Sequence, residues 1–124
     1  MRFSEEEIQA ARELKALGLA WEPKVGNYVF DAHDSVEPES PFQDGVYFIL
    51  NYDHFMRLLG GVDRFTERMV WLPTWEDLRG ILRDLGIADA TVVEDLSNRG
   101  SFDSGTERLA LYHLLVAHLR PAST

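Results

Sequence analysis

The chain has no cysteine in its 124 residues. Disulfides, thiolate nucleophiles and zinc–thiolate sites are therefore excluded from the start. Basic residues are also scarce. Twelve lysines and arginines stand against twenty-one aspartates and glutamates, giving a net charge of −9 and a pI near 4.8. Binding to nucleic acid or to an anionic membrane needs a positive face to neutralise phosphate, so neither is expected as a partner. No apolar run approaches the roughly eighteen residues of a membrane-spanning helix. The opening MRFSEEE lacks the basic-then-apolar order of a signal peptide, and a cytoplasmic location is the expectation. Catalytic signatures are missing as well: there is no H-E-x-x-H, no G-x-S-x-G and no dinucleotide fingerprint. An enzyme would have to be assembled from residues with no motif to announce them, and no cofactor is expected.

What is present has globular proportions. A hydrophobic content of 45% and a charged content of 27% predict one folded domain over residues 1–124. The stretch around which the rest is organised is MVWLPTWEDLRGILRDLGI, residues 69–87. Met69, Val70, Trp71 and Leu72 read as the end of a buried strand, and Pro73 stops it because proline has no N–H to give a ladder. Thr74 then caps a helix by accepting from the N–H of Glu76 or Asp77, whose carboxylates suit the positive helix start. Trp75, Leu78, Ile81, Leu82 and Leu85 recur at helical spacing. Gly86 supplies the left-handed stop, with Ile87 folding back on Leu82.

The same ending occurs earlier. Ser4 and Glu7 form the pattern of a capping box, Phe3 and Ile8 that of a hydrophobic staple, and the helix they open closes at Gly18 with Leu19 returning to Leu14. Residues 26–30, GNYVF, predict a first strand, and residues 46–50, VYFIL, a second whose unbroken apolar run suggests a central, covered place. Between them lies the most polar stretch, residues 31–45, with five carboxylates, two prolines and no lysine or arginine. It predicts a surface loop or hairpin connection. Asp53 is the expected cap of a short helix ending at Gly60-Gly61. Residues 62–68 read as a helical turn or a loop. Thr91, Val92 and Val93 predict a fourth strand and residues 96–103 a polar loop. Ser104 to Glu107 repeat the capping-box pattern before a last helix that is apolar nearly all round. Such a helix needs cover from the sheet on one side and from a second helix or a partner subunit on the other, which leaves room for a homodimer. The element order predicts an α+β fold: a three- or four-stranded sheet with helices packed mainly on one face.

Candidate sites are few. Gly100 to Thr106 has the glycine spacing of a phosphate loop but lacks the lysine, and Asp103 would repel phosphate, so a glycine loop ending in a helix cap explains it better. His33 lies between Asp31 and Asp34, and with Glu37, Glu39 and Asp44 it offers oxygen ligands for a hard divalent cation, the basis of an alternative reading as a metal-dependent hydrolase or small-molecule enzyme. The spacing matches no loop of defined geometry, and a solvated acidic loop is the simpler expectation. His113 and His118 are five residues apart, about 140° around a helix, and do not chelate together. Trp21 and Trp75, each beside a proline, are the aromatic residues best placed for exposure. A groove flanked by Trp21, Trp75 and the acidic loop with Asp31, His33 and Asp34 is the surface expected to bind.

The combination of VYFILN, a Gly-Gly turn, WLPT with Asp77-Leu78 following and a final SGTERLALYHLL helix resembles small uncharacterised bacterial and phage domains with a W-L-P-T-x-x-x-L signature. The resemblance implies an α+β domain and carries no activity or site residue. Charge and composition then lead to a non-enzymatic binding or accessory domain whose partner is a basic protein. An immunity or antitoxin-like role is the sharpest version of that expectation.

Overall fold

The computed structural model describes residues 2–36 and 39–121. The protein is α+β, with the described elements in the order α1 (Glu5–Ala16), β1 (Tyr28–Asp31), β2 (Val46–Phe48), α2 (Tyr52–Leu59), α3 (Val62–Arg68), β3 (Met69–Leu72), α4 (Trp75–Asp84), α5 (Asp89–Asn98), α6 (Ser101–Ser104) and α7 (Glu107–Leu119). They fall into two compact units. The first holds residues 2–4 and Ala20–Leu72, and the second Glu5–Leu19 and residues 73–121.

The first unit is built on an antiparallel sheet of order β2-β1-β3. Tyr28 pairs with Phe48 and Leu72, and Val29 with Tyr47 and Trp71, so β1 is central. Strand alternation then places Val29, Tyr47, Met69 and Trp71 on one face. Val29 and Met69 are fully buried there with Ile49, Met56, Leu59 and Phe65, which brings α2 and α3 onto that face. On the other face Tyr28 meets Phe3 and Phe48, with ring centroids 5.5 and 4.9 Å away. The side-chain amide of Gln43 holds the residue 2–4 segment: it accepts from the Phe3 N–H at 2.9 Å and donates to the Phe3 carbonyl at 2.6 Å.

The apolar run 46–50 is therefore an edge strand, not a central one. Tyr47 and Phe48 are half-buried and Leu50 is 75% exposed. Unbroken apolar sequence suggests cover on both faces, and here, among the described residues, the outer side of the strand has no neighbouring strand. One cap assignment also changes. Asn51, not Asp53, caps α2, its side chain accepting from the His54 N–H at 3.1 Å. Residues 62–68, left between helix and loop by the sequence, form α3.

The second unit is helical. The predicted start at Thr74 is present as a reciprocal capping box, with the Asp77 N–H donating to Thr74 Oγ1 at 3.2 Å and the Thr74 N–H donating to Asp77 Oδ2 at 3.0 Å. Both predicted stops form alike. Leu19 N–H reaches the Leu14 carbonyl at 3.0 Å and Ile87 N–H the Leu82 carbonyl at 2.9 Å, while Gly18 and Gly86 take φ of 88° and 82°. These positive angles are why glycine stands at both positions. Two expectations fail here. Residues 91–93 lie in α5 instead of a fourth strand, because Val92 and Leu96, one helical turn apart, are both buried while Val93 is half exposed. The loop expected over 96–103 is the end of α5 followed by α6. A run of β-branched residues favours extension locally, but the buried pair at i and i+4 decides the outcome.

Helix α7 is the centre of this unit and packs against α1, α4, α5 and α6. Its all-round apolar surface is thus met by helices of the same unit. Leu111, Tyr112 and Leu115 are fully buried, and the Tyr112 hydroxyl donates to the Pro73 carbonyl at 2.7 Å. The expected capping box at its start is not formed: Thr106 is the N-cap without a side-chain bond, and its hydroxyl lies 2.8 Å from that of Ser104. Glu7 of α1 pairs with Arg108 of α7 through both carboxylate oxygens, with only 8% of its side chain exposed.

Candidate functional site: an apolar groove beside an edge strand

The five residues singled out in the sequence occupy different environments. Trp21 is half-buried in the first unit and stacks on Trp71 at 5.6 Å with the rings 8° from parallel, so it serves the scaffold. Trp75 belongs to the second unit, where the Arg79 guanidinium lies 5.5 Å from its ring centroid, a cation–π contact. Asp31 ends β1 almost buried, and its two carboxylate oxygens accept from the N–H groups of Ser35 and Val36 at 2.9 and 2.8 Å. It organises the turn of the acidic loop with both oxygens. His33 and Asp34 are exposed on that turn, Asp34 with a left-handed φ of 53° that aspartate tolerates. Glu37 lies outside the described residues. Among the described residues no three histidine, aspartate or glutamate side chains gather where one ion could bind.

The acidic loop instead contributes to a groove of another kind. A cavity of about 340 Å³ in the first unit is lined by Val36, Glu39 and residues 40–42 from the loop, by Tyr47, Phe48 and Leu50 from β2 and its end, and by His54, Phe55 and Leu58 from α2. Three of these side chains are large, apolar and turned to solvent: Phe42 is 62% exposed, Leu50 75% and Leu58 46%. Each has a local cause. Leu58 follows Arg57 on the outer side of α2, whose Met56 and Leu59 face the core. Leu50 is the last residue of an apolar run that outlasts the ladder by two positions. Phe42 sits in a turn where its own N–H donates to the Ser40 hydroxyl at 3.2 Å. Apolar surface left in water costs about 25 cal/mol per Å², and here it is gathered in one concave place.

The electrostatics of the groove are those of the loop. Burial is the first cause that pushes the Tyr47 phenol above its ordinary value, followed by the charges of Asp31, Asp34, Asp44 and Glu39. Four carboxylates thus project negative potential onto the groove wall. The polar lining groups are Glu39, Ser40, Tyr47 and His54. The Ser40 hydroxyl accepts from the Phe42 N–H and so serves the turn. Chemically the arrangement suits recognition of apolar side chains by contact and of cations by the rim.

Sequence reasoning missed Phe42, Leu50, Phe55 and Leu58. One signal was available for Phe42, a lone aromatic residue in an otherwise acidic and polar stretch. Comparison of the chain with protein-family models, curated proteins and solved structures gives no match, so the groove is interpreted from its own geometry. Among the described residues no helix is long and apolar enough to cross a membrane.

Proposed function

We propose that the chain is a non-enzymatic binding module that takes hold of a protein partner through this groove. One observation carries the reading: Phe42, Leu50 and Leu58, from three separate segments, expose their apolar side chains around a single cavity. Folding alone gives no reason for such a gathering, whereas a partner that excludes water from it does. The net charge of −9 and the carboxylates around Tyr47 favour a basic partner, since opposite potentials speed encounter and penalise wrong pairings. An immunity or antitoxin-like role, in which an acidic module covers a basic protein, is the most specific form of this proposal.

Site-directed photo-crosslinking tests it. A benzophenone side chain placed at Phe42 is expected to yield a discrete cross-linked protein of basic isoelectric point in the cells that make this chain. The same group at Val93, exposed in the second unit, serves as control. Equal patterns from the two positions, or none from Phe42, would remove the groove from the binding surface.

A further inference from the structure

The open edge of β2 says how the partner is held. The Asp31 N–H bonds the Gly45 carbonyl at 2.8 Å and the Ile49 N–H bonds the Asn27 carbonyl at 2.9 Å. Residues 45, 47 and 49 therefore turn their backbone groups toward β1, with Tyr47 opposite Val29 between them. In an antiparallel ladder the alternate residues face the other way, so Val46, Phe48 and Leu50 direct theirs away from the sheet. The Val46 N–H folds back onto the Gln43 carbonyl at 2.9 Å. Gln43 and Val46 form an antiparallel bridge, so among the described residues what remains along the edge is both polar groups of Phe48 and the Leu50 N–H.

Two further observations bear on this edge. Successive side chains of a strand point to opposite faces, and the cavity is lined by both Tyr47 and Phe48. A hollow that touches both must straddle the strand's outer edge. Proteins usually guard such edges with a charge, a proline or a bulge against unwanted pairing. Residues 46–50, VYFIL, carry no charge and no proline, and the acidic residues are held back in the adjoining loop. An edge left unguarded beside an apolar hollow has the form of a strand acceptor.

We infer that the end of β2 is a docking edge, where an extended segment of a partner protein, apolar residues alternating with lysine or arginine, adds as a fourth strand beside Phe48–Leu50. The inference rests on the binding-module reading above and names its mode. Charge chooses the occupant. A second copy of this chain would bring its own Asp34, Glu39 and Asp44 against the same carboxylates, whereas a segment with cations on one side and apolar side chains on the other satisfies both rim and hollow.

The test uses the full chain and short synthetic peptides, followed by amide NMR. An acetylated peptide of alternating valine and lysine is expected to bind saturably, to shift the Phe48 and Leu50 amides and to slow their hydrogen exchange. Replacing its lysines by glutamate, or N-methylating the alternate amides that would face β2, is each expected to weaken binding about tenfold or more. Leu50→Asp in the protein is expected to do the same while far-ultraviolet circular dichroism stays unchanged. If the N-methylated peptide binds as well as its parent, or a helix-forming peptide of the same composition binds better, strand addition is overturned and the binding-module reading stands. The absence of binding by the parent peptide up to about 1 mM also overturns it, and the cross-linking from Phe42 then judges the broader reading by itself. A concentration-dependent dimer with protected Phe48 and Leu50 amides would assign the edge to a second copy and overturn the choice of occupant.

Discussion

The two units solve the same problem differently. In the second, distant helices are tied by Arg108–Glu7 and Arg120–Glu13, and α7 is surrounded by four other helices. Its exposed large apolar residues are Leu85, Val93 and Phe102, against Val25, Phe42, Leu50, Leu58 and Val62 in the first unit. In the first unit the sheet is covered on its Val29 face by α2 and α3, yet Phe42, Leu50 and Leu58 converge on one hollow at an unguarded strand edge. On the proposed reading, the contrast separates apolar surface used for folding from apolar surface that another molecule covers. Neither hydrophobicity nor residue type distinguishes the two uses; position relative to the ladder does.

That contrast can be broken by mutation. The largest effects belong to the cores: Phe65→Ala in the first unit and Leu82→Ala in the second, both at fully buried positions, are each expected to cost about 3–5 kcal/mol in urea denaturation. A loss near that of a surface substitution at either would refute the assignment of that core. Next comes Glu7→Gln, which leaves the Arg108 guanidinium facing a neutral amide in a part-buried place. A loss of about 2 kcal/mol is expected, and it shrinks little in high salt because the pair is shielded from solvent.

Tyr112→Phe is expected to cost about 1 kcal/mol at neutral pH through the bond to Pro73. Its pH dependence sharpens the test. Burial raises the Tyr112 phenol well above 10.0, with Glu7 adding to the rise and Arg108 opposing it. The folded protein therefore keeps this proton after the unfolded chain has lost it. Its contribution is complete below the unfolded value of about 10 and declines as pH climbs toward the folded one. The deficit of Tyr112→Phe relative to the parent is thus expected to narrow in alkaline denaturation. A constant deficit would place the hydroxyl in contact with water. The smallest effect is expected at the groove: Leu50→Ser and Phe42→Ser change stability by less than about 0.5 kcal/mol, measured in the same urea series. A loss comparable with that of Phe65→Ala would make the groove part of the core.

Local chemistry was the legible part of the sequence. The Thr74 cap and the Gly18 and Gly86 stops involve residues within a few positions of one another, so order along the chain contains the whole interaction. The sheet position of residues 46–50 was not legible, because an apolar run looks the same whether a second strand or a future partner lies beside it. Residues 91–93 were misread for a related reason: their β-branched local preference is weaker than the burial of Val92 and Leu96 on one helical face. The partner that Glu7 finds in Arg108 lies 101 residues away, beyond any local pattern. Of the residues expected to bind, Asp31 accepts from the Ser35 and Val36 N–H groups and Trp21 stacks on Trp71, and the side chains that line the groove were recognisable only once β2 had been placed at an edge.

That long separation has a consequence for how the protein is made. A ribosome extending the chain at about 5–20 residues per second produces Glu7 roughly 5–20 seconds before Arg108. A helix of twelve residues such as α1 is marginal by itself, so it emerges early and waits for α7 to give it a surface. The sheet residues are all synthesised by Leu72, well ahead of that moment. The nascent chain thus presents its strand edge while its first helix is still seeking a mate, and the order of emergence sets which half of the molecule most needs shelter during translation.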